Sequence, residues 1–230
     1  MVSFRVSVSV LCLCILSVTT GGAADPSPWG GSLGIAYWYP EWSNDSVNFD
    51  SSTSGLYGPS AFIHYGRIGL GLQYFTGEFD LEFPGGDSDV SADRTDLDLI
   101  LSYRVSRMVQ LSVLYKSIGY EWSQTYSVDS EITGFGFGGG FNHVFPSGIL
   151  LYGYGFYMPG LDFEEDIGDW NSYSGDADGY WIEAGLGYII RELNLVAKAS
   201  YRTQRIDIDI ESTDWTEETR GFRVDISYLF

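Results

Sequence analysis

The chain has 230 residues, of which 29 are glycine and 17% are aromatic, and its formal net charge is −19 at pH 7. So large an acidic excess argues against nucleic acid as a partner. Both cysteines, Cys12 and Cys14, lie in an amino-terminal segment that we expect to be removed, which excludes disulfides, thiolate catalysis and cysteine metal sites from the mature protein.

That amino-terminal segment has the features of a secretory signal peptide. Arg5 precedes an apolar run over residues 6–18, and the small residues 21–24 follow it. The run is too short for a membrane-spanning helix, and no later segment reaches the roughly 20 apolar residues that such a helix needs. We therefore predict cleavage after Ala24, with residues 1–24 as the signal peptide and residues 25–230 as one domain without a linker.

The rest of the chain alternates with the period of a β-strand. Apolar residues recur at every second position in ten segments, rather than at helical spacing. The segments are residues 33–39, 57–65, 68–74, 97–103, 109–115, 135–145, 150–156, 180–188, 193–201 and 222–230. Each ends on an aromatic residue, which is typical of strands that cross a membrane. In the seventh segment this pattern assigns Leu150, Tyr152, Tyr154 and Phe156 to the outer face.

The opposite face of these strands is small or polar, as at Gly69, Gly71 and Gln73. A soluble β-sandwich would bury its apolar face and hydrate this one, but it rarely needs an aromatic-edged apolar band on every strand. The pattern favours an all-β fold, a closed antiparallel up-and-down transmembrane β-barrel of ten strands with the small and polar residues in its lumen.

The connections alternate in length. Tight links are predicted at residues 66–67, 104–107, 146–148 and 190–192, and five long, polar, acidic loops are predicted between them. Outer-membrane barrels have short periplasmic turns and long extracellular loops. We therefore predict an integral protein of the bacterial outer membrane with both termini in the periplasm and an acidic outer surface.

The carboxyl-terminal segment alternates strictly and stops on an aromatic residue. Its apolar positions are Phe222, Val224, Ile226, Tyr228 and Phe230. This segment resembles the assembly signal of bacterial outer-membrane β-barrels. The resemblance implies that these five residues are recognised by the barrel-assembly machinery and that the protein contacts outer-membrane lipid and lipopolysaccharide. That superfamily includes adhesins, channels, enzymes and passive anchors, so the fold alone does not choose a function.

An enzymatic function is not favoured by the sequence. Ten strands is the count of the omptin proteases, whose site combines an aspartate pair with a His–Asp pair at the extracellular rim. Here the only histidines, His64 and His143, lie near predicted periplasmic turns, at the opposite end of the barrel. Two same-face carboxylate pairs remain, Asp96 with Asp98 and Asp207 with Asp209. Such neighbours are common on solvated strands, so we predict no catalytic site.

The acidic segments do not form a recognisable metal site. The fragments Asp87-x-Asp89 and Asp176-x-Asp178 lack the closing glutamate of a calcium loop. We predict no cofactor and no dedicated metal site, while the negative charge favours divalent cations or a cationic surface partner. We expect the protein to be a monomer.

Charged residues at inward positions predict an ion-pair network in the lumen. They are Asp98, Lys116, Glu183, Lys198, Arg202, Arg223 and Asp225. Opposite charges on neighbouring strands should pair, because an unpaired charge in a water-poor interior is costly. We predict that these side chains fill the lumen and leave no porin-like pore.

The apolar residues change face beyond the aromatic edge of four strands. After Tyr74 the outward positions are occupied by charged residues such as Glu78 and Asp80, and the apolar residues turn inward. The same exchange of faces follows residues 115, 156 and 201, and it turns Tyr157 inward. This predicts a barrel that extends beyond the bilayer on the extracellular side, with a wet wall and an apolar interior. The residues of this interior are Phe79, Leu81, Phe83, Trp122, Leu161, Phe163, Ile206 and Ile208. They either pack as a plug or line a pocket.

Two functional interpretations follow. The leading one is a non-enzymatic surface protein, structural or interaction-mediating, that makes its contacts through the loops. The alternative is a narrow channel or binding pocket for small hydrophobic molecules in the apolar interior. An outer-membrane protease or lipid-modifying enzyme is the weakest interpretation, because the sequence places no histidine at the extracellular rim.

Overall fold

The computed structural model describes residues 29–45, 50–53, 55–82, 90–123, 127–168, 171–210 and 213–230. The predicted signal peptide at residues 1–24, together with Phe83, Asp87 and Asp89, lies outside the described residues. Within the described ranges, no helix is long and apolar enough to cross a membrane.

Eleven strands make up nearly all of the described chain. They are β1 (Trp29–Asn44), β2 (Asp50–Thr53), β3 (Leu56–Tyr65), β4 (Ile68–Glu82), β5 (Val90–Arg104), β6 (Val109–Ser123), β7 (Ser127–Val144), β8 (Ile149–Ile167), β9 (Asn171–Ile190), β10 (Leu195–Ile210) and β11 (Thr213–Leu229). A 3-10 turn, Arg191–Leu193, separates β9 from β10.

The sheet closes on itself. All neighbouring strands are antiparallel, β1 pairs with both β11 and β3, and β4 pairs with both β3 and β5. The short β2 lies along the same edge of β4 as β3, so β2 and β3 together occupy one position in the wall. The predicted closed, antiparallel, up-and-down barrel of ten strands is confirmed. Closure removes the free sheet edges that an open sheet would expose to lipid.

The two ends of the barrel differ. Four tight connections lie at one end, which we call the turn end, at residues 66–67, 105–108, 145–148 and 191–194. Gly66 (φ 58°) and Asn194 (φ 51°) adopt left-handed backbone conformations there, which glycine and asparagine tolerate best. We call the opposite end the loop end.

The prediction of long loops at the loop end is wrong for most of the residues concerned. β8 runs to Ile167 and β9 begins at Asn171, so the acidic run at residues 162–166 is strand. The physical reason is that alternation continues beyond the aromatic edge with the two faces exchanged, and cross-strand pairing satisfies the backbone there as well. β8 and β9 have 19 and 20 residues, whereas about 9–11 suffice for a membrane crossing.

The outer wall of the turn-end half is an apolar band between two aromatic rows. In the row nearer the loop end, rings from neighbouring strands pack edge to face, as in Tyr115 with Phe135 (centroids 5.3 Å apart) and Tyr201 with Phe222 (5.3 Å). In the row at the turn end, Trp29 packs on Tyr65 at 4.8 Å. Amphipathic rings at both edges of an apolar band are the arrangement that two membrane interfaces favour.

The outward assignment of Leu150, Tyr152, Tyr154 and Phe156 on β8 is wrong. Their partners across the sheet point into the lumen, for example Glu183 opposite Tyr154, and Tyr152 and Phe156 are buried. The reason is the glycine-rich inner face of β7, where Gly138 and Gly140 lie opposite Phe156 and Tyr154.

The glycines of β7 make room for the rings of β8. A Cβ at position 140 would lie 2.4 Å from the Tyr154 ring, a separation that real atoms cannot adopt. Tyr157 points outward rather than inward, because it alternates with the buried Phe156 and Met158. A bulge between Met158 and Leu161 then shifts the alternation, so Leu161 and Phe163 are inward as predicted.

Candidate functional site

All seven residues of the predicted lumen network point inward, and the structure places them in two groups. Six of them are almost completely buried, and the Lys198 side chain is 26% exposed. The first group joins Asp98, Lys116 and Arg202, and the second joins Glu183, Lys198, Arg223 and Asp225. Strand alternation brings each residue to the lumen, and register sets the heights at which opposite charges meet.

The first group is centred on one ammonium shared by two carboxylates. Lys116 Nζ donates to Asp98 Oδ1 at 2.8 Å and also to Asp96. Arg202 Nη2 donates to the other Asp98 oxygen at 3.0 Å, and Arg94 Nη2 donates to Asp96 at 2.7 Å. Asp96, Asp98, Lys116, Arg94 and Arg202 all have no exposed side-chain surface. Five charges this deeply buried are tolerated because each has an opposite partner.

The second group lies nearer the turn end. Arg223 donates to Glu183 Oε2 at 3.0 Å and to Gln73 Oε1 at 2.8 Å. Lys198 Nζ lies 3.0 Å from Asp225 Oδ1, and the same carboxylate accepts from Ser227 at 2.6 Å. The carboxylates of this group are therefore saturated by donors.

Aromatic rings surround the buried guanidinium groups. Arg202 Cζ lies 4.3 Å from the Trp181 ring centroid and 4.7 Å from that of Trp38, and Arg223 Cζ lies 5.2 Å from the Phe75 ring. These cation–π contacts offset part of the lost hydration of the cations. Trp38, Trp181 and Phe75 are themselves buried, so their rings occupy the middle of the lumen.

Sequence reasoning missed a polar cluster above the first group. Arg94 donates to Thr219 Oγ1 at 2.7 Å, and Tyr120 Oη donates to Glu217 Oε2 at 2.8 Å. Burial raises the pKa of Glu217, although the bond from Tyr120 and the nearby Arg94 act against the rise. Arg94 shares its strand face with Asp96 and Asp98, so the alternation of β5 was a signal that could have found it.

The predicted apolar interior forms one packed cluster in the loop-end half. Phe79, Leu81, Leu161, Phe163, Ile206 and Ile208 are all buried in it, and Trp122 packs against it. The ring of Trp42 stacks on Tyr120 with centroids 4.8 Å apart and meets Phe79 edge to face at 5.5 Å. Packing of this kind fills the space between these side chains.

A cavity of about 360 Å³ lies below the second ion-pair group, at the turn end. Residues from all ten wall positions line it, with Trp181, Glu183 and Arg223 at the inner end and Arg104 near the opening. Sequence reasoning did not predict this cavity, because its volume depends on how far each inward side chain reaches across the lumen.

The histidines and carboxylate pairs considered for catalysis lie in separate parts of the barrel. His64 points into the lumen at the turn end, and its Nδ1 is buried without a hydrogen-bond partner among the described residues. His143 lies on the outer face with its ring 4.5 Å from that of Phe145. Asp96 and Asp98 are tied to the same lysine in the interior, whereas Asp207 is exposed on the outer wall and bonded to Arg205.

The outer wall of the loop-end half is strongly acidic, and carboxylates face one another across neighbouring strands. Directly opposed pairs are Glu78 with Asp93, Asp93 with Glu121, Glu121 with Asp129, Asp129 with Asp166, Glu131 with Glu164, Asp162 with Asp176, Asp176 with Asp209, Asp178 with Asp207 and Asp209 with Asp214. Like charges at such positions destabilise a sheet. Among the residues that the structure describes, no group of three or more His, Cys, Asp or Glu could hold a metal ion.

The five carboxyl-terminal residues that resemble an assembly signal lie on the outer face of β11 and at its end. Phe222, Val224, Ile226, Tyr228 and Phe230 are all well exposed on the apolar band. Phe230 also bonds to β1 in both directions, accepting from Gly31 N at 2.9 Å and donating to Gly31 O at 3.1 Å. The end of the described chain is therefore part of the seam that closes the barrel.

Solved structures share this architecture. The β domain of the Bordetella autotransporter BrkA is 10% identical and matches 87% of this chain and 99% of its own length, with a TM-score of 0.50. The fold is that of an outer-membrane β-barrel. The Neisserial surface protein NspA (13% identity, 86% and 97% coverage, TM-score 0.43) and the toluene transporter TbuX of Ralstonia pickettii (10% identity, 89% and 90% coverage, TM-score 0.40) also match. No family model matches the chain, and no curated protein is similar to it in sequence.

Proposed function

We propose that this barrel is a non-enzymatic protein of the bacterial outer membrane, with the turn end and both termini in the periplasm, that acts as a structural or interaction-mediating surface protein. The single observation that carries the proposal is the filled lumen. Ion pairs and aromatic rings occupy its middle, and a packed apolar cluster occupies the loop-end half. A lumen filled in both layers should not conduct solutes, and we therefore assign the surface function to the accessible wall of the loop-end half.

The outward face of that half suits a cationic partner. Its exposed carboxylates outnumber the two arginines on the same face, Arg205 and Arg220, which are themselves paired with acidic neighbours. A negative surface speeds encounter with positively charged partners and weakens with salt. Divalent cations that bridge this wall to lipopolysaccharide phosphates would act through the same charge.

The first experiment tests the filled lumen. The purified barrel in planar bilayers should give no large, stable single-channel conductance. A double variant, Trp181→Ala with Arg202→Ala, removes two large side chains from the middle of the lumen and should admit ions. A matched control, Tyr180→Ala with Tyr201→Ala, removes two outward rings and should remain closed. Stable wild-type conductance would contradict the proposal.

The second experiment tests the acidic surface. We expect a fluorescent decalysine peptide to bind the barrel in nanodiscs of neutral lipid, and to bind less as salt is raised. Neutralising four outward carboxylates, Asp176, Asp178, Asp209 and Asp214, to Asn should weaken binding several-fold. Binding that is equal in both proteins would rule out this wall as the interaction surface.

A further inference from the structure

The turn-end cavity is a feature of the lumen that the proposed function does not use. Its volume of about 360 Å³ is within the range of roughly 300–1,000 Å³ that small-molecule sites occupy. It opens beside the tight turns, where Arg104 and Asn142 lie in its wall. A solute can therefore reach it without crossing the closed middle of the lumen.

The wall of the cavity combines apolar and polar surfaces in different places. Phe62, Ile100, Leu150 and Val196 supply aromatic and aliphatic surface around its sides. Tyr152 and Tyr154, whose rings lie 5.9 Å apart, add aromatic surface on the β8 side. A ligand that fills this space gains from burying an apolar body.

The polar end of the cavity has more donors than free acceptors. Glu183 already accepts from Arg223 and Ser200, at 3.0 and 2.9 Å. The side-chain oxygen of Gln73 accepts a hydrogen bond from Arg223. The amide nitrogen of Gln73 is then the group that can donate to a ligand. Lys198 makes its ion pair with Asp225 while the side chain stays 26% exposed, and an ammonium has three N–H groups to donate.

The charges at the inner end of the cavity are balanced. Lys198 pairs with Asp225, and Arg223 pairs with Glu183 and Asp225. Among the described residues, Arg104, near the opening, has no acidic counterpart in the lining, because the one acidic lining residue, Glu183, is paired with Arg223. Arg104 therefore adds a positive charge that attracts an anion small enough to enter.

From the size, the apolar sides, the donor-rich inner end and the arginine near the opening, we infer that the turn-end cavity binds a small amphipathic carboxylate. The carboxylate lies against Lys198 and the Gln73 amide, and the apolar body lies between Phe62, Ile100 and Tyr154. This site is separate from the acidic outer wall and goes beyond the proposed surface function.

The probe for the test is 4-fluorobenzoate, followed by fluorine NMR against the wild-type barrel in nanodiscs of neutral lipid at 0.15 M salt. The neutral amide, 4-fluorobenzamide, has the same shape without the charge. We expect saturable binding of the carboxylate, with an affinity about tenfold above that of the amide, since a hydrogen bond to a charged group contributes roughly that factor.

Two variants separate the site from general effects. Gly71→Val places a side chain inside the cavity, and the added Cβ meets nothing closer than 3.6 Å, so the barrel should fold. Gly155→Val is the matched control, because the same change lies on the outer face with nothing within 4 Å of the added Cβ. We expect Gly71→Val to abolish saturable binding and Gly155→Val to leave it unchanged.

A third variant tests the charge. Lys198→Gln should weaken binding of 4-fluorobenzoate about tenfold and leave that of 4-fluorobenzamide within a factor of about two of wild type. The inference is overturned if the wild type shows no saturable binding, if Gly71→Val binds as well as Gly155→Val, or if the carboxylate and the amide bind equally. The inference is supported if Gly71→Val loses binding while Gly155→Val keeps it, and if Lys198→Gln removes the preference for the carboxylate over the amide.

Discussion

The shared carboxylate of Asp98 offers the sharpest test of the ion-pair network. Asp98→Asn keeps the shape of the side chain but removes the charge that pairs with Arg202 at 3.0 Å and Lys116 at 2.8 Å. Lys116 retains Asp96. Arg202 retains no carboxylate within 4.0 Å among the described residues, although Trp38 and Trp181 still cover its guanidinium.

Removing one partner of a buried pair costs about 3–5 kcal/mol. The lower part of that range applies here, because the asparagine oxygen still accepts a hydrogen bond. A loss of about 3–4 kcal/mol, at a slope of about 2 kcal/mol per molar urea, lowers the unfolding midpoint by about 1.5–2 M. The assay is urea unfolding in lipid vesicles, followed by tryptophan fluorescence and by heat-modifiable gel mobility.

Two comparisons decide the interpretation. Asp207→Asn breaks an ion pair of the same length, 3.0 Å, in which both partners are about half exposed, and should cost about 0–1 kcal/mol. Adding Arg202→Met to Asp98→Asn removes the stranded cation and should recover most of the loss. If Asp98→Asn is no more destabilising than Asp207→Asn, the network does not hold the lumen together as argued.

Three further predictions concern the seam, the wall and the upper polar cluster. Replacing Phe230 and Tyr228 with Ser should prevent insertion, because it removes two exposed rings from the segment that resembles the assembly signal. Unchanged surface exposure and gel mobility would contradict this. Asp209 lies opposite both Asp176 and Asp214. Asp209→Asn should therefore raise the free energy of unfolding by about 0.5–1 kcal/mol at low salt and by less at high salt. An equal gain at both salt concentrations would exclude charge repulsion as the cause. Burial raises the pKa of Glu217 above its value in the unfolded chain. The folded state therefore binds a proton at Glu217 more readily than the unfolded state does. As pH falls from 7 towards 4.5, Glu217 adds to the free energy of unfolding. Glu217→Gln should remove that gain, seen as a smaller change in urea midpoint across this pH interval than in wild type.

The fold could be predicted from the sequence because one physical pattern runs through it. Alternation fixes which face of each strand meets lipid, and the inward charges of β5, β6, β9, β10 and β11 follow from the same parity. On β8 alternation did not predict the inward face correctly, because both faces carry large apolar residues. The bulge at Met158–Leu161 also shifts which residues point inward.

The glycines of β7 could have shown that the rings of β8 turn inward, since bulky inward residues need small neighbours. Two other parts of the site needed three-dimensional information. The depth of the turn-end cavity could not be found in this way, because it depends on the reach of side chains from ten separate positions. The bond between Tyr120 and Glu217 joins residues 97 positions apart, and no local pattern relates them.

The seam between β1 and β11 has a consequence for how the protein is made. Ser32 pairs with Leu229 and Asn44 with Glu217, so β1 cannot find its second neighbour until β11 has been made. Until then the sheet has two unpaired edges, which are prone to join the edges of other chains. The barrel therefore cannot close before β11 is present, and an unfinished chain needs to be kept apart from other copies.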